Sequence, residues 1–374
     1  MLRVAAIAAG CLWLWVWGAC AGPYREAGVN GYVDPNNRWR RADPLREAGA
    51  LLNPIFRGWA SGWVEYLPSD TEWVPEGMWD DPSKALGPVT GDNFDVVSLG
   101  ELGSEELASG AEPGRITLVF GDPCDPCDTG AIRDGKGYDF AVFENGFVSL
   151  WNTPAGSVAG QMLAELGYVE VSSNGRDFVR FPGVSLTDGP VGMYGTIEIS
   201  DVYNLAGKHP NANGVCTGTP FDLSELAEDP AVRDGRVDIN DIHYVRIVDI
   251  PGSGDFFDAA ERHIDPASGP AWSNYGLNHR IYDAWVTYGS GGLDLEAVGV
   301  LNEQEWEADI DLNGVVDIYD FALFASAWGR RFGEEGWIGR CDLRGDLEID
   351  GLDLAAFAGQ WLRVERWREG GVER

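Results

Sequence analysis

Twelve residues near the C-terminus constrain this chain more than any other stretch: Asp309-Ile310-Asp311-Leu312-Asn313-Gly314-Val315-Val316-Asp317-Ile318-Tyr319-Asp320. Oxygen-bearing side chains fall at positions 1, 3, 5, 9 and 12, and a glycine holds position 6, where a chain wrapping an ion must turn sharply. A hard cation takes six to eight oxygens. Asp309, Asp311, Asn313, the Val315 backbone carbonyl, Asp317 (directly or through a water) and Asp320 offer such a set, so the spacing predicts a calcium site. Phe321, Phe324, Ala325 and Trp328 follow at helical spacing and predict a helix with one apolar stripe.

The pattern recurs 33 residues later. Asp342, Asp346, Asp350 and Asp353 reproduce positions 1, 5, 9 and 12, and Glu348 occupies position 7. Leu354, Phe357, Ala358 and Trp361 reproduce the stripe. Neither unit can bury its stripe alone, so the two are expected to pack together. The second loop departs from the pattern: Arg344 replaces a ligand at position 3 and Leu347 replaces the glycine, which predicts a weak or empty second site. A duplicated EF-hand-like loop with Asp at position 12, followed by a short apolar helix, resembles the type I dockerin repeat over residues 306–363. That resemblance implies calcium as the cofactor, a cohesin-like protein partner, and a setting in polysaccharide breakdown.

The 374 residues carry 60 acidic against 27 basic side chains, a formal net charge of -33. Such a surface repels nucleic acid and anionic membrane and attracts divalent cations. Hydrophobic residues make up 44%, enough for a packed core. Met1 to Ala21 reads as a secretory signal: Arg3 is followed by an apolar run from Val4 to Trp17, too short to span a bilayer, and Ala19-Cys20-Ala21 supplies the cleavage site. A lipid anchor on Cys20 is the alternative. No other stretch is long and apolar enough to cross a membrane. The expected location is extracellular or on the cell surface. Cys124, Cys127, Cys216 and Cys341 then remain, with three pairings open; Cys124 and Cys127 can close a small ring. A zinc site lacks its second pair, and a redox role lacks the strand-helix-strand context, which leaves a structural role.

Residues 22–52 mix Gly, Pro, Asn and charges with little periodicity and predict a partly disordered leader. From 53 to 302, short runs rich in Val, Ile, Phe and Tyr alternate with turn clusters: Arg115–Phe120, Tyr138–Phe143, Tyr168–Ser172, Tyr244–Val248 and Ala297–Val300. Many short strands with frequent turns predict a mainly β, antiparallel sandwich. Asn174-Gly175 between two runs predicts a hairpin, and only Gln161–Leu166 and Asp222–Glu228 look helical. The order of these pieces, from Ala85-Leu86-Gly87-Pro88 through the Ser172-Ser173-Asn174-Gly175 hairpin, Tyr244-Val245-Arg246-Ile247 and Leu293–Val300, resembles the galactose-binding-like jelly roll of discoidin-type domains. The whole also resembles bacterial cell-surface proteins that join such a domain to a C-terminal module. The expected plan is therefore a jelly-roll β-sandwich over 53–302, a small α-helical dockerin-like module over 303–366, and a tail over 367–374.

No catalytic residue is assigned. Glu101, Glu105, Glu106, Asp139, Glu144, Glu165 and Glu170 offer carboxylates, but among 60 acids a pair at glycosidase spacing is expected by chance. The four histidines stand alone, and no serine nucleophile elbow exists. Asp139, Glu144 and Asn145 flank one apolar strand; the jelly-roll resemblance implies that they could serve a structural calcium, but a plain turn at Asn145-Gly146 is the favoured reading. Trp63, Trp73, Trp79, Trp151, Trp272 and Trp285 fall in or near expected loops, where an aromatic face can stack on a sugar. The reading is a secreted, calcium-binding, non-catalytic surface protein that takes polysaccharide on its sandwich and a protein on its module. A glycoside-processing enzyme and a purely structural envelope protein are the alternatives.

Overall fold

Strand Tyr244–Asp249 alternates half-buried Tyr244, Arg246 and Val248 with buried Val245, Ile247 and Asp249. A strand places successive side chains on opposite faces, so this segment must lie with one face on a core. The computed structural model describes residues 22–36, 40–69, 78–122, 130–259, 278–287, 291–332 and 334–369. The chain is mainly β, and its two large sheets are antiparallel throughout. Tyr244–Asp249 sits at the centre of the second sheet, ordered Val179–Arg180, Gly167–Ser172, Tyr244–Asp249, Arg115–Val119, Gly62–Leu67. The first sheet runs Val29–Asn30, Thr217–Phe221, Phe140–Glu144, Asp294–Leu301, Phe56–Trp59, with Val97–Ser98 also paired to Asp294–Leu301.

One core lies between the sheets. Phe140, Val142, Phe221, Leu295, Val298 and Val300 from the first meet Ile116, Leu118, Val169, Val171, Val245 and Ile247 from the second. The rings of Phe140 and Phe221 stack at 5.3 Å between centroids, and Phe181 meets both edge-on. The first sheet is buried on its other face as well. Ala141, Phe143, Ala297 and Leu301 pack there with Val29, Ile55, Phe56 and Leu312. This double burial accounts for the unbroken burial along Phe140–Glu144 and Asp294–Leu301, which are apolar apart from Glu144, Asp294 and Glu296.

Each of the five strand runs read from the sequence coincides with a strand, displaced by up to three residues at its ends. The hairpin at Asn174-Gly175 is present: Gly167–Ser172 pairs with Val179–Arg180, and Gly175 takes φ +71°. Asn174 Oδ1 accepts from the amides of Arg176 and Asp177 and holds the turn. Gln161–Leu166 is not a helix. Met162–Leu163 pairs with Phe147–Val148, and Met162 is buried beside Ala164, Leu166 and Ile197. Six residues are too few to nucleate a helix that tertiary packing does not favour. Leu223–Leu226 forms a single 3-10 turn capped by Asp222, and helix Ser104–Ser109 went unread.

The stretch 22–52, expected as a partly disordered leader, is woven into the fold where it is described. Val29–Asn30 pairs with Thr217–Phe221, Tyr32–Val33 pairs with Leu51–Leu52, and Tyr24 stacks on Tyr203 at 5.0 Å. Buried Lys208 donates to the Glu26 carboxylate and to the Tyr24 carbonyl. The expected tail is likewise structural at its start: Trp367 packs against the outer face of the first sheet, and Arg368 is buried. Cys216 and Cys341 are buried free thiols, so neither takes part in a disulfide. Met1 to Ala21, Cys124, Cys127, Trp73 and Trp272 lie outside the described residues. Among the described residues, no helix is long and apolar enough to cross a membrane.

Phe140→Ala empties the centre of the aromatic cluster and is expected to cost about 3–5 kcal/mol in denaturant unfolding. A loss below about 1 kcal/mol would mean the two sheets do not close on that ring.

Candidate metal centre

The C-terminal module contains two helices, Ile318–Ser326 and Gly351–Gln360, each entered through a capping box. Asp317 and Asp350 are the N-caps, and Asp320 and Asp353 return a bond to the cap amide. Positions 9 and 12 of each acidic loop therefore start the helix as well as facing the loop. Asp320 Oδ1 also accepts from the amides of Ile310 and Asp311, at 2.7 and 3.0 Å, and ties the helix start to the loop start.

Loop one folds around Asp309. Its two oxygens accept from the amides of Asn313 and Gly314 at 3.1 and 2.8 Å. Asn313 Oδ1 accepts from Val315 N, and Asn313 Nδ2 donates to Asp311. The second loop repeats the main bonds: Asp342 accepts from Asp346 N and Leu347 N at 3.1 and 2.8 Å, Glu348 N donates to Asp346, and Arg344 N donates to Asp353. The repeat survives the lost glycine because each loop puts one leucine in the left-handed region, Leu312 at φ +61° and Leu347 at φ +68°. Such a residue costs about 1–2 kcal/mol, so each loop carries one strained position. The matching positions are Gly345 at φ +65° and Gly314 at φ +85°.

Carboxylate oxygens of Asp309, Asp311 and Asp320 lie within 4.8 Å of one another, and so do those of Asp342, Asp346 and Asp353. Val315 is buried at position 7 of the first loop. Asp317 and Asp350 stand outside these triplets as caps, which suits a ligand acting through water. Glu348 does not turn into its loop: both its oxygens accept from Arg331, at 3.0 and 3.1 Å, which leaves only its backbone for position 7. Arg344 is exposed, and the three carboxylates of its loop converge without it.

The two loops differ in surroundings. Loop one is sealed against the first sheet: Leu312 is buried in that sheet's outer cluster, and Trp367 closes over Gly314. A Cβ on Gly314 would meet the Trp367 ring at 2.5 Å, so both φ and space require glycine there. Arg340 donates to the Asp309 carbonyl and to Gln304 Oε1 while covering the Tyr138 ring. Loop two lines a cleft of about 670 Å³ at the seam, together with Tyr24, Tyr138, Tyr203, Asp222, Glu225 and Trp337.

Burial drives the Asp309 carboxyl well above the ordinary range, and Asp320 and Asp311 add to the shift. Burial likewise pushes Asp320 up to about 8 and Asp311 up to about 6. An array of desolvated acids this close holds a cation or holds protons. The donor set is all oxygen, with no thiolate or imidazole, which fits a hard ion such as calcium. Asp309, Asp311, Asn313, the Val315 carbonyl and Asp320 would hold it in the first loop, and Asp342, Asp346 and Asp353 in the second. A bound ion would supply the positive charge that these acids lack.

The helix stripes meet at Phe324 and Phe357, 5.3 Å apart, over a core of Ala308, Ile310, Val316, Ile338 and Ile349. Their ends differ from expectation. Phe321, Ala325, Trp328, Leu354, Ala358 and Trp361 stay exposed, because buried Ala327 and half-buried Leu323 complete the first helix's inner face. A third acidic group, Asp134, Asp139 and Asp222, was not read from the sequence, since its members are far apart in the chain. Asp139 there accepts from Gly135 N and Leu223 N and anchors two turns. Asp139 and Glu144 sit at opposite ends of one strand, on the order of 16 Å apart, so they share no ion.

No protein-family model matches this chain, and no curated protein matches it.

Asp309→Ala is expected to abolish most of the calcium-dependent gain in melting temperature of the full chain, and Asp342→Ala less than half of it. At a calcium level 100-fold above the dissociation constant one site contributes about 2.7 kcal/mol. Equal losses from the two substitutions would remove the asymmetry argued from the seam.

The raised carboxyls also set a pH dependence. Without calcium, the folded chain holds protons that the unfolded chain has released, so this contribution is full below about pH 4 and is lost as pH rises through 6 and 8. In excess chelator the melting temperature should fall from pH 5 to pH 8, and Asp311→Asn with Asp320→Asn should shrink that fall. With calcium the ionised forms are the ligands, so the calcium-dependent gain should grow over the same range. A gain that shrinks with pH contradicts the site.

Proposed function

We propose that this chain is a calcium-organised, non-catalytic binding protein of the cell exterior. Its sandwich reads as a galactose-binding-like jelly roll and its C-terminal unit as a dockerin-like module. The observation that carries the reading is the pair of acidic loops, which converge three carboxylates each and repeat one hydrogen-bond pattern. Calcium in the first loop would neutralise acids lying directly under the seam, and so would hold the module on the sandwich.

Two exposed surfaces support binding. The stripe ends left open on the two helices, with Tyr319, Phe321, Trp328, Leu354 and Trp361, form an apolar face that suits a cohesin-like protein partner. At the Glu144 end of the first sheet, the loop over 149–161 carries Trp151, 74% exposed, and Phe147 and Tyr194 are exposed as well. The tip is built rather than loose: Ser157 Oγ donates to the Tyr194 carbonyl, Val158 N to Thr196 Oγ1, and Ala159 N to Asn152 Oδ1. An exposed indole on a braced loop is suited to stack on a sugar ring, because both offer a flat apolar face. Of the other tryptophans expected in this role, Trp63 is part of strand Gly62–Leu67, and the Trp285 indole donates to the Leu102 carbonyl.

Titration of the full chain against a panel of plant and algal polysaccharides is expected to show weak binding, reduced roughly tenfold by Trp151→Ala, about 1.4 kcal/mol. Unchanged binding in Trp151→Ala would move the site elsewhere, and silence across the panel would remove the glycan reading while leaving the calcium loops standing.

A further inference from the structure

The cleft at the seam draws its lining from both sides. Tyr24, Tyr138 and Tyr203 come from the part of the chain before the acidic loops, and Phe332 and Trp337 from the C-terminal module. Its volume of about 670 Å³ falls in the range of small-ligand sites, and aromatic walls with a few polar groups are the usual lining of such sites. The rings are held in place. Tyr24 stacks on Tyr203 at 5.0 Å, and Phe332 meets Trp337 edge-on at 5.9 Å. The Tyr203 hydroxyl donates to Glu225 Oε1 and Asn204 Nδ2 to Glu225 Oε2, both at 2.6 Å.

Gln304, in the connection that joins strand Asp294–Leu301 to the first acidic loop, also lines the cleft and is 3% exposed. Its side chain is fixed. Gln304 N donates to the Lys136 carbonyl at 3.0 Å, Arg340 Nη2 donates to Gln304 Oε1, and the backbone of Gly137 packs so closely that a Cβ there would meet that oxygen at 2.6 Å. With Oε1 taken, Gln304 Nε2 is buried without an acceptor among the described residues, and so is Nε of the neighbouring Arg340. A buried N–H left unpaired is costly, so two of them on one cleft call for an acceptor oxygen from outside the chain.

The remaining lining narrows the ligand class. Five carboxylates face three basic side chains, and one of those bases, Lys136, is already paired with Glu307 at 3.0 Å, which disfavours an anion. An ammonium ion carries no acceptor and would leave both donors unmet, and the Tyr138 face that could hold it is covered by the Arg340 guanidinium. A neutral polyol meets both demands, since each hydroxyl accepts and donates. Asp222 is placed to take a hydroxyl proton: its Oδ1 accepts from the Ser224 amide and hydroxyl at 2.9 and 2.6 Å, which leaves Oδ2 as the acceptor. We infer that the seam cleft is a second saccharide site, taking a short neutral sugar whose oxygens accept from Gln304 Nε2 and Arg340 Nε, whose hydroxyl donates to Asp222, and whose apolar face lies on Trp337. The site stands apart from the Trp151 loop and depends on neither that loop nor a bound ion.

The test uses the full chain carrying Trp151→Ala, which takes the exposed loop out of the reading. Saturation-transfer NMR titration with galactose, glucose, mannose, lactose and cellobiose is expected to show at least one sugar binding with a dissociation constant of about 1 mM. Gln304→Glu keeps an oxygen for Arg340 and removes the amide donor, so it should weaken that binding about tenfold without lowering the melting temperature. Hydrogen exchange with the sugar bound should slow in peptides covering 136–138 and 332–347. If Gln304→Glu does not fold, this exchange map on its parent decides. No transfer up to about 100 mM sugar, unchanged affinity in a folded Gln304→Glu chain, or slowing confined to other peptides overturns the site. Binding of tetramethylammonium in preference to every sugar overturns the saccharide assignment. Each of these results leaves the calcium loops and the Trp151 loop untouched.

Discussion

A carboxylate taken out of water without a counter-charge is the most expensive group this fold contains, and the chain buries such groups repeatedly. With 60 acids against 27 bases, basic side chains cannot pair them all. Most buried acids are met by backbone amides instead. Asp309 takes two, Asp342 takes two, Asp139 takes two, and Glu296 takes those of Thr90 and Gly91. Amides converge on one point only where the chain turns tightly, which is why left-handed residues such as Gly314 and Leu347 stand beside these acids. Where the amides run out, a divalent cation could complete the balance, and the carboxylates of the C-terminal loops converge closely enough to hold one.

The seam between the C-terminal loops and the first sheet ties a local acidic cluster to the rest of the chain. Leu312 belongs at once to the first acidic loop and to the outer cluster of the first sheet. Arg340 grips the Asp309 carbonyl from one side while its guanidinium covers Tyr138 from the other. Charge in the first loop is therefore felt where the module docks. The second loop, which repeats the main internal bonds, lines a cleft instead. Two copies of one motif thus acquire different roles through what packs on them.

Much of this was legible in the residues. The strand runs, the Asn174-Gly175 hairpin and both acidic loops depend on neighbours within a dozen positions, and short-range spacing encodes them. Other features were not legible because their cause is remote. Gln161–Leu166 has a helix-compatible composition but becomes a strand because Phe147–Val148 lies beside it. Residues 22–52 have the texture of a leader but are ordered by an edge that only the folded sheet offers. Phe321 and Trp328 sit on a valid stripe, yet Ala327 takes the inner position because the second helix crosses at Phe357.

The sequence by itself determined the β class, the turn positions, the oxygen donors of both loops and the departures at Arg344 and Leu347. These follow from backbone stereochemistry and donor type, which each short stretch carries within itself. Only the tertiary structure decided that Glu348 faces Arg331, that the first loop is sealed and the second open, and that Asp134 and Asp139 converge with Asp222. Those outcomes depend on which distant surfaces meet when the sheets close, because burial, unlike spacing, is a property of the whole folded chain.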